Sequence, residues 1–475
     1  MKKILSRREM LKTIVMGAAG LALAACAPQA TATQAPTQPP APTDTTAPTA
    51  ADTATSAPVA PTATTAPAVA TATSAPAAAG GQALNVWHYE AADSAMGKSW
   101  AAAKTQFDST HSGVTAVVDS TRGFEQIQQT ASMILNSAQA PDVMEYNKGN
   151  ATAGLLSNEG LLMDMTAEVT KRGWDKILAG GLQTTSRYTK GVMGSGSWYG
   201  VTDYGEFVMV YYNKDLFTKY NVAVPTTLAE MEAAMDTFIA AKLIPIATGA
   251  TEYPAQQIFY ELVLSKADQS LIDAYQLYKA PVDFHNAAFT FGAQTLADWV
   301  KKGYIEKNST SMAAQDMGNA FTSGKYPMMI SGSWWYGGFI TQITTFNWGI
   351  FLFPGNQFNA GSGGNLWVIP ANSKNSALAY DFIDITLSKS IQNIMGNAGG
   401  LPVNADLTQI TDPKSQDLLK AFNTFGPGAA FYPDWPAPGL YDNLVSDVQD
   451  LINGKTTPSQ MLDALGTFYN QNKPQ

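Results

Sequence analysis

The composition of the chain changes abruptly near Gln82, and this change decides which residues can fold. Residues 27 to about 80 are almost wholly Ala, Thr, Pro, Ser and Gln, with no aromatic residue and only Asp44 and Asp52 as charges. Such a segment buries too little apolar surface to offset the entropy lost on ordering, and its prolines favour an extended conformation. We therefore predict a disordered tether over 27–82 and a folded region from residue 83 onward.

The residues before the tether have the three parts of an export signal: a basic start, the apolar run Leu11–Leu23 and small residues before Cys26. The apolar run is too short to span a bilayer comfortably. Ser6–Lys12 resembles the twin-arginine export motif, with Met10 where that motif usually has Phe. Leu23–Cys26 resembles a lipobox. Over 1–26 we predict a twin-arginine-type lipoprotein signal peptide, with lipidation of Cys26; an ordinary cleaved signal with an incidental cysteine is the alternative.

Charge and cysteine content exclude several classes of protein. The formal net charge is −9, although the first twelve residues carry five basic side chains and one acidic side chain. Nucleic acids and anionic membrane surfaces reward clustered Lys and Arg, so neither is expected as the main partner. The single cysteine lies in the export signal, and the three histidines have no ligand spacing. We therefore expect no disulfide, no thiol nucleophile, no metal site and no cofactor.

From residue 83 the hydrophobic pattern alternates between short strands and amphipathic helices. Strands are predicted at 83–88, 114–118, 141–146, 207–212 and 243–247. Helices are predicted after Asp93 as a cap, from Phe124, from the capping box Thr227–Glu230, over 377–394 and from Pro458. Strands and helices that alternate with short connections indicate α/β layers, and the length of the chain indicates two lobes.

Four segments carry a resemblance to a known family. They are Trp198–Val201 with Val210–Phe217, Phe321–Lys325 with Ile330–Trp334, Gly363–Pro370, and Gly399–Val403. Together they resemble the extracellular solute-binding proteins of the maltose-binding type, family 1, and the resemblance covers nearly all of 83–475. It implies a two-lobed, class II type periplasmic-binding-protein fold with a cleft between the lobes. It also implies a sugar or oligosaccharide ligand, ABC importer permease subunits as partners, and no enzymatic activity.

Mapped onto this chain, the resemblance implies an N-lobe of 83–205 completed by 356–402. The C-lobe is then 206–355 completed by 403–475. The chain would cross between the lobes near 202–207, 353–355 and 401–404. We expect a monomer outside the cytoplasm, held to the outer face of the cytoplasmic membrane by its N-terminal lipid.

The resemblance also directs attention to particular ligand-binding residues. A sugar stacks its C–H faces on aromatic rings, while its hydroxyl groups need donors and acceptors. Trp334 is the first candidate because it matches a family position that commonly stacks on the ligand. The other candidates follow strand ends, occupy the predicted crossing, or lie in a late Pro-rich loop: Trp335, Tyr336, Trp87, Glu90, Arg122, Glu145, Asn147, Asp203, Tyr204, Glu206, Gly364, Asn365, Tyr432, Asp434 and Trp435.

Two alternatives remain at this point. A glycoside hydrolase would use two of Glu90, Glu145, Asp203 and Glu206, although no hydrolase motif frames any of them. A binding protein of the same fold would instead take a polyamine, a ferric ion or another small polar molecule. The adjacent Tyr211 and Tyr212 suggest ferric binding, but they lie inside the predicted strand, where a core role is expected.

Overall fold

The structure, a computed structural model, describes residues 81–178, 180–423 and 428–474. The predicted signal peptide, Cys26 and all but the last two residues of the predicted tether lie outside these ranges. Among the described residues, no helix combines the length and the apolar character needed to cross a bilayer.

The described residues alternate between strands and helices through most of their length. The strands are β1 Gln82–Trp87, β2 Val114–Asp119, β3 Val143–Tyr146, β4 Arg187–Thr189, β5 Val192–Met193, β6 Ser197–Trp198, β7 Val201–Thr202, β8 Tyr204–Asn213, β9 Ile246–Ala247, β10 Met328–Gly332, β11 Trp348–Phe351, β12 Gly361–Gly363, β13 Leu366–Val368 and β14 Leu401–Pro402. The α-helices are α1 Ala95–Thr110, α2 Phe124–Leu135, α3 Leu155–Asn158, α4 Thr166–Arg172, α5 Trp174–Ile177, α6 Gly181–Thr184, α7 Lys214–Lys219, α8 Leu228–Ala240, α9 Ala255–Leu264, α10 Gln269–Leu277, α11 Ala287–Lys302, α12 Ala314–Thr322, α13 Tyr336–Gln342, α14 Ser376–Thr386, α15 Lys389–Asn397, α16 Pro413–Asn423, α17 Leu440–Ile452 and α18 Pro458–Asn472.

The first sheet has the strand order β2-β1-β3-β13-β7. Its strands β1, β2 and β3 run parallel, because helices α1 and α2 provide the crossover connections between them. Helix α1 buries Met96, Trp100, Ala103 and Phe107, as the spacing predicts. Its cap is Ser94 rather than Asp93, since the extended backbone of Ser94 lets its hydroxyl accept a hydrogen bond from the Gly97 N–H.

The second sheet is built around β8, in the order β11-β8-β10-β9. Tyr211 of β8 is fully buried and donates a hydrogen bond of 2.8 Å to the Gly332 carbonyl, so it is a core residue, as predicted. The capping box at Thr227 is also present, with Glu230 closing it. Helices α9, α11, α17 and α18 pack against one another in this part of the chain.

Strand β8 connects the two sheets. The preceding strand β7 pairs with β13 in the first sheet. The start of β8 pairs with β12 and β14, and its remainder pairs with β10 and β11. The chain therefore passes from one sheet to the other within residues 201–208. Two α/β layers joined in this way confirm the predicted fold class, while the lobe boundaries stay predictions.

Two predicted elements differ from those in the structure. The strand expected over 243–247 shortens to Ile246–Ala247. The helix expected over 377–394 is divided into α14 and α15, because Ser388 between them adopts an extended backbone conformation (φ −64°, ψ 147°). Its carbonyl then accepts the first hydrogen bond of α15, from Gln392 N–H. The apolar spacing continues across this break, so sequence periodicity alone did not reveal it.

Candidate functional site

A cavity of about 230 Å³ lies between residues of the two sheets. One wall comes from the ends of first-sheet strands and from the start of α2: Tyr89, Glu90, Phe124, Asn147, Lys148 and Asn365. Strand β8 contributes Tyr204 and Glu206. The other lining residues come from the region of α9, from the turn after β10, from the late loop and from the start of α17: Tyr253, Gln257, Trp334, Tyr432, Asp434, Trp435 and Tyr441.

Strand direction explains why residues distant in sequence meet at the first wall. Strands β1 and β3 are parallel, so the segments after Trp87 and Tyr146 emerge at the same edge of the sheet. Strand β13 runs antiparallel to β3 and starts with Leu366 opposite Tyr146. Asn365, which precedes β13, therefore reaches the same edge as Asn147.

Trp334 is the half-buried indole of the cavity. Its ring makes an edge contact with Tyr253, with ring centroids 5.5 Å apart, and a tilted contact with Tyr432 at 6.2 Å. The indole lies directly over Gly332, where an added Cβ would come within 1.8 Å of a ring carbon. Glycine at 332 is thus required for this orientation of the indole at the cavity wall.

A buried ion pair forms part of the cavity wall. Lys148 is 2% exposed and Glu206 is 6% exposed, and the Lys148 ammonium group donates to Glu206 Oε1. The same ammonium donates to Asn365 Oδ1 at 3.1 Å. It also lies 5.1 Å from the centroid of the Trp435 ring and 5.5 Å from that of Tyr432. The single lysine of the cavity is therefore already engaged.

A second buried carboxyl group, that of Glu145, lies behind this wall. Its Oε1 accepts hydrogen bonds from Asn365 Nδ2 at 3.3 Å and from the Tyr204 hydroxyl at 3.4 Å. Burial raises the pKa of Glu145 to about 8, and the nearby Asp203 carboxyl adds to the increase. Burial, together with Glu145, also raises the pKa of Glu90 well above its usual value. Removal from water therefore favours the protonated forms of these acids.

Sequence and structure comparisons identify the family. Residues 91–393 match the family model described as bacterial extracellular solute-binding protein. The chain belongs to this family. A Brucella abortus binding protein is 25% identical to the solute-binding chain over 284 residues, 56% of this chain. The maltooligosaccharide ABC transporter solute-binding lipoprotein of Streptococcus pneumoniae is 24% identical over 296 residues, 60% of this chain. The chain spans about two thirds of the length of these curated relatives, namely 66% and 65%.

Solved structures share the fold of this solute-binding protein. A chain from work on xylan utilization by Caldanaerobius polysaccharolyticus superimposes with a TM-score of 0.70 at 21% identity, covering 81% of this chain and 99% of the other. The GacH receptor of Streptomyces glaucescens gives a TM-score of 0.66 at 21% identity, covering 82% and 98%. At this level of identity the likeness establishes the two-lobed fold.

Nine of the predicted site residues of the solute-binding protein line the cavity: Trp334, Glu90, Asn147, Tyr204, Glu206, Asn365, Tyr432, Asp434 and Trp435. They come from six separate stretches of the chain. The fold therefore assembles them in one place, as the resemblance implies. Their contact with a ligand stays a prediction.

The aromatic residues after Trp334 do not reach the cavity. Trp335 stacks on Phe339, with centroids 5.7 Å apart, and packs closely against Gly318. Tyr336 is 1% exposed and donates a hydrogen bond of 2.7 Å to the Lys414 carbonyl. Both residues follow Trp334 in a helical turn that points their side chains into the core of the second sheet.

Trp87 and Arg122 do not line the cavity because they contact each other. The Arg122 guanidinium carbon lies 3.7 Å from the centroid of the Trp87 ring, and the same guanidinium pairs with Asp119. Gly364 is also committed, since its N–H donates to the Tyr204 carbonyl at 2.7 Å. A Cβ on Gly364 would meet the Tyr204 ring at 2.2 Å, so this glycine permits close packing behind the cavity.

Asp203 and Glu145 are buried acids rather than cavity-lining ones. Asp203 is 1% exposed, and its Oδ2 accepts a hydrogen bond of 2.6 Å from Trp367 Nε1. Glu145 is also 1% exposed and supports Tyr204 and Asn365 from behind. Sequence placed both residues near strand ends but gave no sign of which way their side chains point.

Six cavity residues were absent from the predicted set: Tyr89, Phe124, Lys148, Tyr253, Gln257 and Tyr441. Tyr89 lies in the loop after the first strand, which the strand-end argument included although Tyr89 was not selected, and Lys148 directly follows the predicted Asn147. Tyr253 and Gln257 precede or belong to α9, which the sequence analysis did not identify. No pattern in that segment signalled a cavity.

We expect the buried carboxyl of Asp203 to make the protein less stable as pH rises. Burial raises its pKa to about 8, whereas the unfolded value is about 4. The folded state therefore holds a proton that the unfolded state loses, and the free energy of unfolding falls between these values by up to about 1.4 kcal/mol per pH unit. Asp203→Asn keeps an acceptor for Trp367 but cannot ionise. Urea unfolding at pH 5 and pH 8 should show a smaller decrease for the variant, and equal decreases would contradict this assignment.

Proposed function

We propose that this protein binds a sugar or oligosaccharide in the cavity and delivers it to an ABC importer. The observation that carries the proposal is that the partly buried indole of Trp334 lines the same cavity as carboxyl and amide groups. Stacking surface and hydrogen-bonding groups together match the two surfaces of a sugar ring. The buried Tyr89 hydroxyl and Gln257 Oε1 have no hydrogen-bond partner among the described residues, and sugar hydroxyls would supply partners.

The names of similar proteins support a saccharide ligand. The Streptococcus pneumoniae relative is named for maltooligosaccharide. Proteins of the same fold include a chitin oligosaccharide binding protein, a raffinose complex of RafE and GacH complexes with acarbose. The saccharides in these names differ from one protein to the next, so the sugar bound by this chain has to be measured.

A thermal-shift screen of mono- and oligosaccharides, polyamines and metal ions tests the proposal. A ligand that binds only the folded state at 100 times its Kd stabilises that state by about 2.7 kcal/mol. We expect a sugar to produce the largest increase in Tm. An increase produced only by a polyamine or a metal ion would contradict sugar binding.

Closure of the two lobes around the ligand is the proposed mechanism. A ligand that contacts both walls binds the closed form more tightly and shifts the population toward it. Small-angle scattering at saturating sugar should therefore show a smaller radius of gyration than without sugar. A non-binding sugar from the same screen is the control. An unchanged radius at verified saturation would contradict closure.

The proposed role also includes the features predicted from the N-terminal residues. Export by the twin-arginine route, lipidation at Cys26, anchoring to the outer face of the cytoplasmic membrane, a monomeric state and permease partners all belong to it. The family description as extracellular and the lipoprotein name of the Streptococcus pneumoniae relative support this location.

Two alternatives are less well supported. A ferric site built on Tyr211 and Tyr212 conflicts with the burial of Tyr211 in the core of the second sheet. A glycosidase that used Glu206 or Asp203 is disfavoured, because Glu206 pairs with Lys148 and Asp203 accepts a hydrogen bond from Trp367. Incubation with labelled oligosaccharides should leave them intact, and release of shorter products would contradict a purely binding role.

A further inference from the structure

The cavity contains more acidic groups than its one lysine can neutralise. Glu90, Glu206 and Asp434 line it, with Glu145 directly behind. Lys148 is the single basic residue of the lining, and its ammonium group is paired with Glu206. No described Lys, Arg or His forms an ion pair with Glu90, Glu145 or Asp434. The cavity therefore has a surplus of carboxyl groups over cations.

Asp434 is the clearest of these uncompensated groups. It is 8% exposed and lines the cavity. Among the described residues, no other residue donates a hydrogen bond to its side chain. A buried carboxyl without a partner is unfavourable unless it is protonated or meets a cation. Burial accordingly raises the pKa of Asp434 to about 7, which allows it to ionise near neutral pH when a cation arrives.

The aromatic wall beside Asp434 already accommodates a cation. Lys148 Nζ lies within 5.5 Å of the ring centroids of both Tyr432 and Trp435. Ammonium groups are attracted to ring faces at such distances. Tyr432 and Trp435 flank Asp434 in sequence, so one short loop supplies both rings and the carboxyl group. This combination suits an ammonium ion better than a neutral hydroxyl group.

A neighbouring groove extends the acidic surface. It shares Tyr441 with the cavity and is lined by Glu125, Glu252 and Asp442, without a basic residue among its lining. One oxygen of Glu125 is buried without a hydrogen-bond partner. Carboxyl groups gathered in a cleft produce a negative potential that raises the local concentration of cations. A ligand with several amino groups would find carboxyl groups for its ammonium ions in both the cavity and the neighbouring groove.

We propose that the saccharide bound by this protein carries basic amino groups, one of which lies as an ammonium ion beside Asp434. This inference rests on the proposed function and specifies its ligand as an amino sugar. The saccharide ring stacks on Trp334, while the ammonium ion pairs directly with Asp434, with which Lys148 forms no ion pair because it is bound to Glu206.

Isothermal titration of the folded protein with three disaccharides tests this inference. The disaccharides are β-1,4-linked and differ only at carbon 2, which carries an amino group (glucosamine), an acetamido group (N-acetylglucosamine) or a hydroxyl group (glucose). We expect the amino disaccharide to bind roughly tenfold or more tightly than either neutral one, because a charge-assisted hydrogen bond replaces a neutral one. The preference should decrease in high salt.

Variants assign the preference to Asp434. In Asp434→Asn the amino disaccharide should lose most of its advantage, because the amide is uncharged. Asp447→Asn, an acid of the nearby helix α17 that does not line the cavity, should retain it. Equal or tighter binding of a neutral disaccharide, or no binding of the amino disaccharide, would overturn the inference. If a neutral disaccharide binds equally or more tightly, the proposed sugar-binding function stands and only the amino-sugar inference fails. If spermidine binds in the wider screen and no sugar does, both the inference and the proposed function fail.

Discussion

Replacing Trp334 with alanine should weaken sugar binding by about thirtyfold or more, without unfolding the protein. The indole is half-buried and contacts Tyr253 and Tyr432 along the cavity wall. Central aromatic residues of binding sites contribute about 2 kcal/mol or more when truncated, which corresponds to that change in Kd. Isothermal titration with the sugar identified by the thermal-shift screen measures the effect.

The adjacent indole is a matched control for this substitution. Trp335 packs on Phe339 and against Gly318 in the core of the second sheet. Trp335→Phe should lower the free energy of unfolding, because it removes buried volume, yet leave Kd nearly unchanged. If Trp334→Ala bound within twofold of the natural protein, stacking on this indole would be ruled out as the basis of recognition.

Substitution of Lys148 by methionine should produce the largest loss of stability. The methionine side chain fills much of the same space, but it leaves the Glu206 carboxylate buried without its cation, near Glu90 and Glu145. Removing one partner of a buried ion pair costs about 3–5 kcal/mol. The side-chain oxygen of Asn365 also loses the hydrogen bond that the Lys148 ammonium group donates to it. Urea unfolding without ligand measures the change.

The double variant Lys148→Met/Glu206→Gln separates charge from packing. It removes both charges together, so most of the lost stability should return. If the single variant were as stable as the natural protein, the stabilising role of the ion pair would be contradicted. If the double variant were no more stable than the single variant, the loss of stability would be assigned to packing.

The sequence was sufficient for the fold because local patterns and family motifs pointed to the same architecture. The spacing of Met96, Trp100 and Phe107 predicted one face of α1, and the capping box at Thr227 predicted the start of α8. The position of Glu90 and Asn147 after strand ends predicted that they lie at the same edge of the first sheet, and both line the cavity there. These features depend on backbone direction, which local sequence determines well.

Side-chain direction was harder to predict, since it depends on packing between distant segments. Trp334 and Trp335 are chemically identical neighbours, yet one lines the cavity and the other lies against Phe339. Arg122 was expected at the cavity, but the ring of Trp87 and the carboxylate of Asp119 hold it elsewhere. Lys148 was overlooked because its role depends on Glu206, which is 58 residues away in sequence.

The bare backbone of Gly332 has an evolutionary consequence for ligand choice. A single methyl group at this position would occupy space now filled by the six-membered part of the Trp334 ring. The tryptophan would then have to adopt another rotamer, and the shape of the recognition surface would change without any substitution in the aromatic residue itself. We therefore expect solute preference to change through substitution of a residue that lies beneath the indole, with Trp334 itself retained.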